Sequence, residues 1–277
     1  MKICIDPGHT KNTNAGTVAG YYEGNMTLDL AKRLKTELEK YAGVEVILTR
    51  TTEGQNPTLA SRGQRAITEG CRLFLSLHSD ANAKSTMRGV TVIRSLKRPD
   101  SYTLGARLAS AIANCMNTKL SPYSGNVNGV WTRQYPGAPG TDYYAVIRNA
   151  VSDKSGVVKE AYLIEHSFHT NGVDCVWLDK AANRQKLAEV EAATIANYYG
   201  LTKPGTKLYR VQVGAFSIKA NAERIAKTLS NQGYSVLVVK KANTNIYRVQ
   251  VGAFSLKENA ERLANTLKGK GYTTIIV

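Results

Sequence analysis

Apolar residues in the first two thirds of the chain gather in four short runs: KICID at 2–6, VEVILT at 44–49, LFLSLH at 73–78 and AYLIEH at 161–166. Such runs suit parallel strands buried on both faces. Between them, residues 26–41, 58–70, 101–119 and 179–199 place apolar side chains at helical spacing. Strands alternating with helices predict an α/β fold, a mostly parallel twisted sheet flanked by helices with right-handed crossovers.

The rhythm changes after residue 200. Residues 201–206 (LTKPGT) read as a polar linker punctuated by Pro and Gly, and from Leu208 the chain repeats itself. LYRVQVGAFSIKANAERIAKTLSNQGYSVLVV matches the segment from Ile246, IYRVQVGAFSLKENAERLANTLKGKGYTTIIV, at 20 of 32 positions. In each copy YRVQV alternates as a strand does, a helical pattern follows, and a second strand closes the unit. Gly233 and Gly271 fall where helix C-termini want a left-handed residue. Two copies are too few for a stacked array, so the pattern predicts one small α+β domain of two pseudo-symmetric βαβ repeats: a four-stranded sheet with both helices on one face. If Val211 and Val213 face the helices, then Arg210 and Gln212 face away, and Arg248 and Gln250 do the same in the second copy. The domains are thus expected at 1–200 and 207–277.

Charge alters this picture more than composition does. Of 277 residues, 37 are Lys or Arg and 21 Asp or Glu, a formal +16. Residues 205–277 hold 12 basic and 3 acidic side chains, so a quarter of the chain carries over half the excess. Such a surface favours polyanions. Single-stranded RNA would need stacking aromatics on the sheet, whereas Tyr209 and Tyr247 fall on the valine side, so nucleic acid is not the expected partner. Cysteines 4, 71, 115 and 175 are widely spaced and read as reduced core thiols. No stretch approaches the roughly 20 apolar residues that span a bilayer.

The chemistry concentrates at the ends of the predicted strands. His9 follows the first, His78 ends LFLSLH, and Glu165 ends AYLIE. In open α/β sheets, sites form beyond the carboxyl ends of strands. Glu23 is read as lying in a loop just before the helix near Met26, within reach of them. Two imidazoles and a carboxylate suit zinc with one position left for water, and a further carboxylate can serve as base. Asp80 and Asn82, close behind His78, are read as able to orient it. His166 and His169 form an HxxH beside an acid, but after a strand they need not face one way; the reading is structural, with substrate contact as the alternative. Residues 121–144, with Trp131, Arg133 and Tyr135, read either as a loop overhanging the site to touch sugar or as a self-packed surface loop.

IDPGH, Glu23 fourteen residues on, the Thr49, Arg50 and Arg62 segment, LSLHSDAN and LIEHSFHTN together resemble the zinc-dependent N-acetylmuramoyl-L-alanine amidases of the Amidase_3 type, over about residues 1–200. That resemblance implies Zn2+ held by His9, Glu23 and His78, with Glu165 catalytic. It also implies cleavage of the amide between the lactyl group of N-acetylmuramic acid and the L-alanine that begins the stem peptide. Thr10 stands where the family often has glycine, and His166, Ser167 and His169 where aliphatic residues are common. Over nearly all of 207–277, the VQVGAF, NAERxAxxL and GY pattern resembles the SPOR domain. The resemblance implies a sheet face that binds peptidoglycan glycan strands, typically ones stripped of stem peptides, and assigns Arg210, Gln212, Arg248 and Gln250 to it. Anionic wall polymers are a further expected partner of the basic tail.

Met1 leads straight into an apolar strand without a signal-peptide pattern. A wall hydrolase of this kind is expected to wait in the cytoplasm of a Gram-positive producing cell and act at the wall on release, as phage endolysins do. Mother-cell lytic or autolytic amidases are the alternative. Two other readings are a non-catalytic peptidoglycan-binding protein with a vestigial site and a zinc peptidase acting within the stem peptide.

Overall fold

Chain contacts divide the computed structural model into Met1–Leu201 and Thr202–Val277. It describes residues 1–206, 208–255 and 257–277; residue 207, where the sequence pattern starts the second domain, lies outside them.

The first unit runs β1 (Lys2–Pro7), α1 (Glu23–Leu38), β2 (Glu45–Leu48), α2 (Leu59–Thr68), β3 (Leu73–Asp80), β4 (Thr91–Arg94), α3 (Tyr102–Met116), β5 (Val130–Trp131), α4 (Ala145–Ala150), β6 (Glu160–Phe168), α5 (Gly172–Asp179) and α6 (Ala181–Tyr199). The sheet order is β2-β1-β3-β6-β4-β5. Its first four strands are parallel, while β4 runs antiparallel to β6 and pairs in parallel with β5. This is the α/β, mostly parallel architecture that the apolar runs predict.

Alternation along the strands explains why both faces are dry. Ile3, Ile5, Leu73, Leu75, Leu77, Tyr162 and Ile164 share a core with residues of α1, α3 and α6. Cys4, Phe74, Ala161, Leu163 and Ile93 face the other way, against Ala66 of α2 and Val146, Ile147 and Ala150 of α4. The same period places His78 and Glu165 on the α2 and α4 face, as Cα partners in the β3–β6 ladder. Just beyond them the ladder slips: Asp80 pairs with Phe168, so β6 carries one extra residue, and Ser167 absorbs it at φ 58°.

The second unit runs β7 (Tyr209–Phe216), α7 (Lys219–Asn231), β8 (Val236–Lys240), β9 (Tyr247–Phe254), α8 (Lys257–Gly269) and β10 (Ile275–Ile276). Its four strands form an antiparallel sheet, β10-β7-β9-β8. Val211, Val213, Val249 and Val251 are buried with Leu229 and Leu267 of the helices, and Tyr209 and Tyr247 pack on that same core. Gly233 and Gly271 both take φ 86° just past the helix ends. Gln212 pairs with Gln250, and Arg248 lies between Ala215 and Val239.

Candidate metal centre and its surroundings

Three side chains converge at the carboxyl ends of β1 and β3. His9 Nε2, His78 Nδ1 and the Glu23 carboxylate have ligand atoms within 4.8 Å of one another. The two imidazole nitrogens face each other at 3.2 Å. Glu23 Oε1 is 3.1 Å from His78 Nδ1, and its Oε2 is 3.2 Å from His9 Nε2. A tetrahedral zinc with bonds of about 2.0–2.1 Å needs donors about 3.3–3.4 Å apart, so this donor set fits such an ion in both chemistry and spacing. Glu23 is enclosed, whereas the His9 side chain is 33% exposed, which leaves an approach from solvent.

Glu23 is not in the loop before α1, as the sequence reading had it, but is the first residue of the helix. The cap at Tyr22 is extended, and Glu23 N–H donates to Asn14 O. An acid in a first turn also faces the positive end of the helix dipole. Its carboxylate accepts Ser79 N–H at 2.9 Å and Asn14 Nδ2–H at 2.7 Å. Burial alone would raise its pKa, but hydrogen bonds from His78 and His9, with their charges, outweigh it and hold the carboxyl well below the usual range.

Two buried arginines hold the backbone that carries these groups. Arg50 donates to Pro7 O and Gly8 O, each at 3.0 Å, and to Gly24 O. Burial pulls its guanidinium down to about 10. Arg62 donates to Pro7 O at 2.7 Å and to His9 O at 2.8 Å. Together they fix the turn in which His9 takes a left-handed φ of 62°, a strained conformation for a non-glycine residue. Gly8 has no latitude either: a Cβ there would lie 2.4 Å from the His78 ring.

Glu165 sits beside His78 on the same sheet face, with Oε2 enclosed and lacking a hydrogen-bond partner. Burial first, then the charges of Asp80 and Glu23, raise its carboxyl well above the usual range. A carboxylate of raised basicity next to a metal-ligand set is what a general base requires.

Neither residue expected to orient His78 does so. Asp80 accepts Tyr123 O–H at 2.8 Å and Ala81 N–H, while Asn82 accepts Lys84 N–H. Their hydrogen bonds to the Tyr123 loop and the turn after β3 engage these side chains elsewhere; the ring is instead met by Ser76 Oγ, 3.1 Å from Nε2. Tyr123 ties the loop 121–144 to the end of β3. Beyond it, Arg133 lies 3.7 Å from the Tyr143 ring centre, and the Tyr123 and Trp131 ring centres are 5.6 Å apart. His166 and His169 do not act as a pair. His166 points to the α6 face, donating to His78 O at 2.8 Å and meeting Glu191 Oε1 at 3.0 Å, all within the core. His169 contacts Ser79 O and Ser79 Oγ behind Glu23. On the second unit Arg210, Arg248 and Gln250 are half-buried, but Gln212 is buried, with Oε1 enclosed and lacking a hydrogen-bond partner.

A family model described as N-acetylmuramoyl-L-alanine amidase matches residues 3–197, and a SPOR domain model matches residues 205–277. The chain is 30% identical to the sporulation-specific N-acetylmuramoyl-L-alanine amidase of Bacillus subtilis (strain 168), over 86% of this chain and 84% of that protein. It is 29% identical to N-acetylmuramoyl-L-alanine amidase CwlM of Bacillus licheniformis, over 86% of this chain and 85% of the relative. Among solved structures, Cwp6 from Clostridium difficile superposes with a TM-score of 0.59 at 25% identity, over 71% of this chain and 29% of that one. The catalytic domain of CwlV, an N-acetylmuramoyl-L-alanine amidase from Bacillus (Paenibacillus) polymyxa var. colistinus, gives 0.59 at 20% identity over 73% and 99%, a likeness of fold. With most of its length inside the first match, the chain belongs to the N-acetylmuramoyl-L-alanine amidase family and carries a SPOR domain behind the amidase fold.

Proposed function

We propose that this peptidoglycan amidase is zinc-dependent, with His9, Glu23 and His78 holding the ion and Glu165 as the catalytic base. The observation that carries the reading is the set of 3.1–3.2 Å separations among His9 Nε2, His78 Nδ1 and the Glu23 carboxylate, beside Glu165 on one sheet face. A zinc ion there would supply Lewis-acid chemistry, acidifying water and polarising the scissile carbonyl, and its charge favours the ionised form of Glu165. Glu165 takes the proton of the attacking water and passes it to the leaving amine of L-alanine. Arg50 and Arg62 hold the His9 turn rigid, so the donors need not reorganise during the reaction.

In this reading residues 1–200 are the catalytic domain, 201–206 a linker and 207–277 the wall-binding domain, with Arg210, Gln212, Arg248 and Gln250 on its glycan face. Removing stem peptides makes the bare glycan that such a face takes, which keeps the enzyme on the polymer it has just cut. The basic second domain adds attraction to anionic wall polymers, weakening as salt rises.

For the biological setting we propose a phage endolysin, held in the cytoplasm of a Gram-positive host until lysis. The sporulation-specific relative at 30% identity favours a second reading, a mother-cell lytic amidase. Sequencing the flanking genes, whether a phage lysis cassette or sporulation genes, separates the two.

The chemistry is tested by mass spectrometry of products from purified peptidoglycan, with wild type, metal-stripped, zinc-restored and Glu165→Ala protein side by side. Free stem peptides beginning with L-alanine are expected from the wild type and zinc-restored samples alone. Cuts inside the peptide would indicate a peptidase, and intact material throughout would indicate a wall-binding protein with a vestigial site.

A further inference from the structure

The hydrogen bonds behind His78 have only one consistent direction. Asp6 and Ser76 are Cα partners in the β1–β3 ladder, both fully buried and on the face that carries His78. Ser76 Oγ lies 2.7 Å from Asp6 Oδ2 and 3.1 Å from His78 Nε2. The other Asp6 oxygen, Oδ1, accepts Arg62 Nη1–H at 2.9 Å and the Thr49 hydroxyl proton. With Arg62 and Thr49 both donating to Oδ1, this carboxylate is an acceptor at Oδ2 as well. The single Ser76 proton is therefore committed to Asp6 Oδ2, which leaves a Ser76 lone pair facing His78 Nε2. Only a protonated Nε2 satisfies that lone pair, so a metal-binding His78 would keep its proton on Nε2 and present a lone pair at Nδ1, the atom that bonds Glu23 when no ion is there. The Nε2 edge of the ring lies against Gly8, where a Cβ would come within 2.6 Å of that nitrogen.

We propose that Asp6 and Ser76 are positioning residues that set the tautomer and ring plane of His78 for metal capture, with Arg62 and Thr49 holding Asp6 in the required state. This rests on the reading of His9, Glu23 and His78 as metal ligands. It gives Arg62 two roles, since one guanidinium fixes both the His9 carbonyl and the carboxylate that governs His78.

Asp6→Asn is the informative variant because it reverses the relay without changing its shape. Two donors, from Arg62 and Thr49, surround Oδ1 and draw the amide oxygen to that position, so the amide nitrogen faces Ser76. The amide then donates to Ser76 Oγ, which turns the hydroxyl proton toward Nε2 and favours His78 protonated on Nδ1, the wrong nitrogen for a ligand. Ser76→Ala cuts the relay with a smaller change, and keeps the test open should Asp6→Asn fail to fold.

The experiment titrates zinc into metal-free, full-length protein against a chromogenic chelator, with circular dichroism and thermal melting of the metal-free proteins as controls for folding. Wild type is expected to bind one equivalent, and both variants to bind about 10- to 100-fold more weakly. In zinc-loaded wild type the His78 Nε2–H is expected as a slowly exchanging imidazole proton in 15N-edited NMR, and as a fast-exchanging or absent one in Ser76→Ala. A purely structural role would lower the melting temperature and leave zinc affinity in place. Affinity within threefold of wild type in either folded variant overturns the proposal. Failure of the wild type itself to bind zinc is a different outcome, and brings down the metal reading on which the proposal stands.

Discussion

Glu165→Gln separates what this carboxylate does for catalysis from what it costs the fold. In the metal-free protein burial, together with the charges of Asp80 and Glu23, raises the Glu165 carboxyl well above its usual range. A folded-state pKa above the unfolded value means that the fold prefers the protonated form. Stability is then complete below the unfolded value of about 4.3 and is lost as the pH rises through it toward the folded one. Glutamine has nearly the same shape and is neutral throughout, so the variant escapes this loss. Each unit of elevation is worth about 1.4 kcal/mol, which for a unit of ~200 residues is about 3–6 °C in Tm. Metal-free Glu165→Gln is therefore expected to melt several degrees above wild type at pH 7 and together with it near pH 4. With zinc restored, kcat on soluble muropeptides is expected to fall about 100- to 10,000-fold, the usual worth of a general base. A Tm below wild type at pH 7 would refute the electrostatic argument, and a kcat within tenfold of wild type would remove Glu165 from the mechanism.

Glu23 carries the opposite sign. Its carboxyl is held below its usual range in the metal-free fold, so the stability it lends is present above about pH 4.3 and lost as the pH falls below that value; Glu23→Gln should flatten the acid limb of a Tm-against-pH curve. Glu191→Ala leaves His166 Nε2 without its partner inside the core and should cost about 3–5 kcal/mol in urea unfolding, whereas Glu191→Gln, which keeps an acceptor, should cost less than half of that. Arg210→Glu with Arg248→Glu should abolish co-sedimentation with stem-stripped glycan while leaving hydrolysis of soluble fragments unchanged; retained sedimentation would exclude that sheet face.

The long elements were legible because their signals are periodic and redundant. The doubly buried strands read as unbroken apolar runs, and the repeat in the second unit states the same strand-helix-strand unit twice. What escaped was short. β4 has four residues, β5 two, α4 six and α5 eight, too few to establish a period. Yet β4 runs antiparallel to β6 and places Thr91 opposite Glu165, so one of these unread pieces borders the site.

Three of the four chemistry-bearing residues were visible because strand ends are where an α/β sheet puts its chemistry, but their partners were not, since a partner is a matter of register. Asp6 and Ser76 lie 70 residues apart and meet only because β1 and β3 pair Ile3 with Leu73, which carries Asp6 to Ser76. Asp80, two residues past His78, was the natural candidate from the sequence and proved to serve the Tyr123 loop instead. His166 and His169 have the separate structural places that the sequence reading allowed them: one meets α6 and the other lies behind Glu23. The reading errors thus share a cause. Residues that touch the reaction are constrained by chemistry and keep recognisable types, whereas residues that hold them are constrained by geometry, and any donor or acceptor at the right register can do that work. For this chain that register comes from the β1–β3–β6 ladders, so a substitution that slips β3 by one residue is expected to move His78 to the opposite face and abolish metal binding while every ligand remains in the sequence.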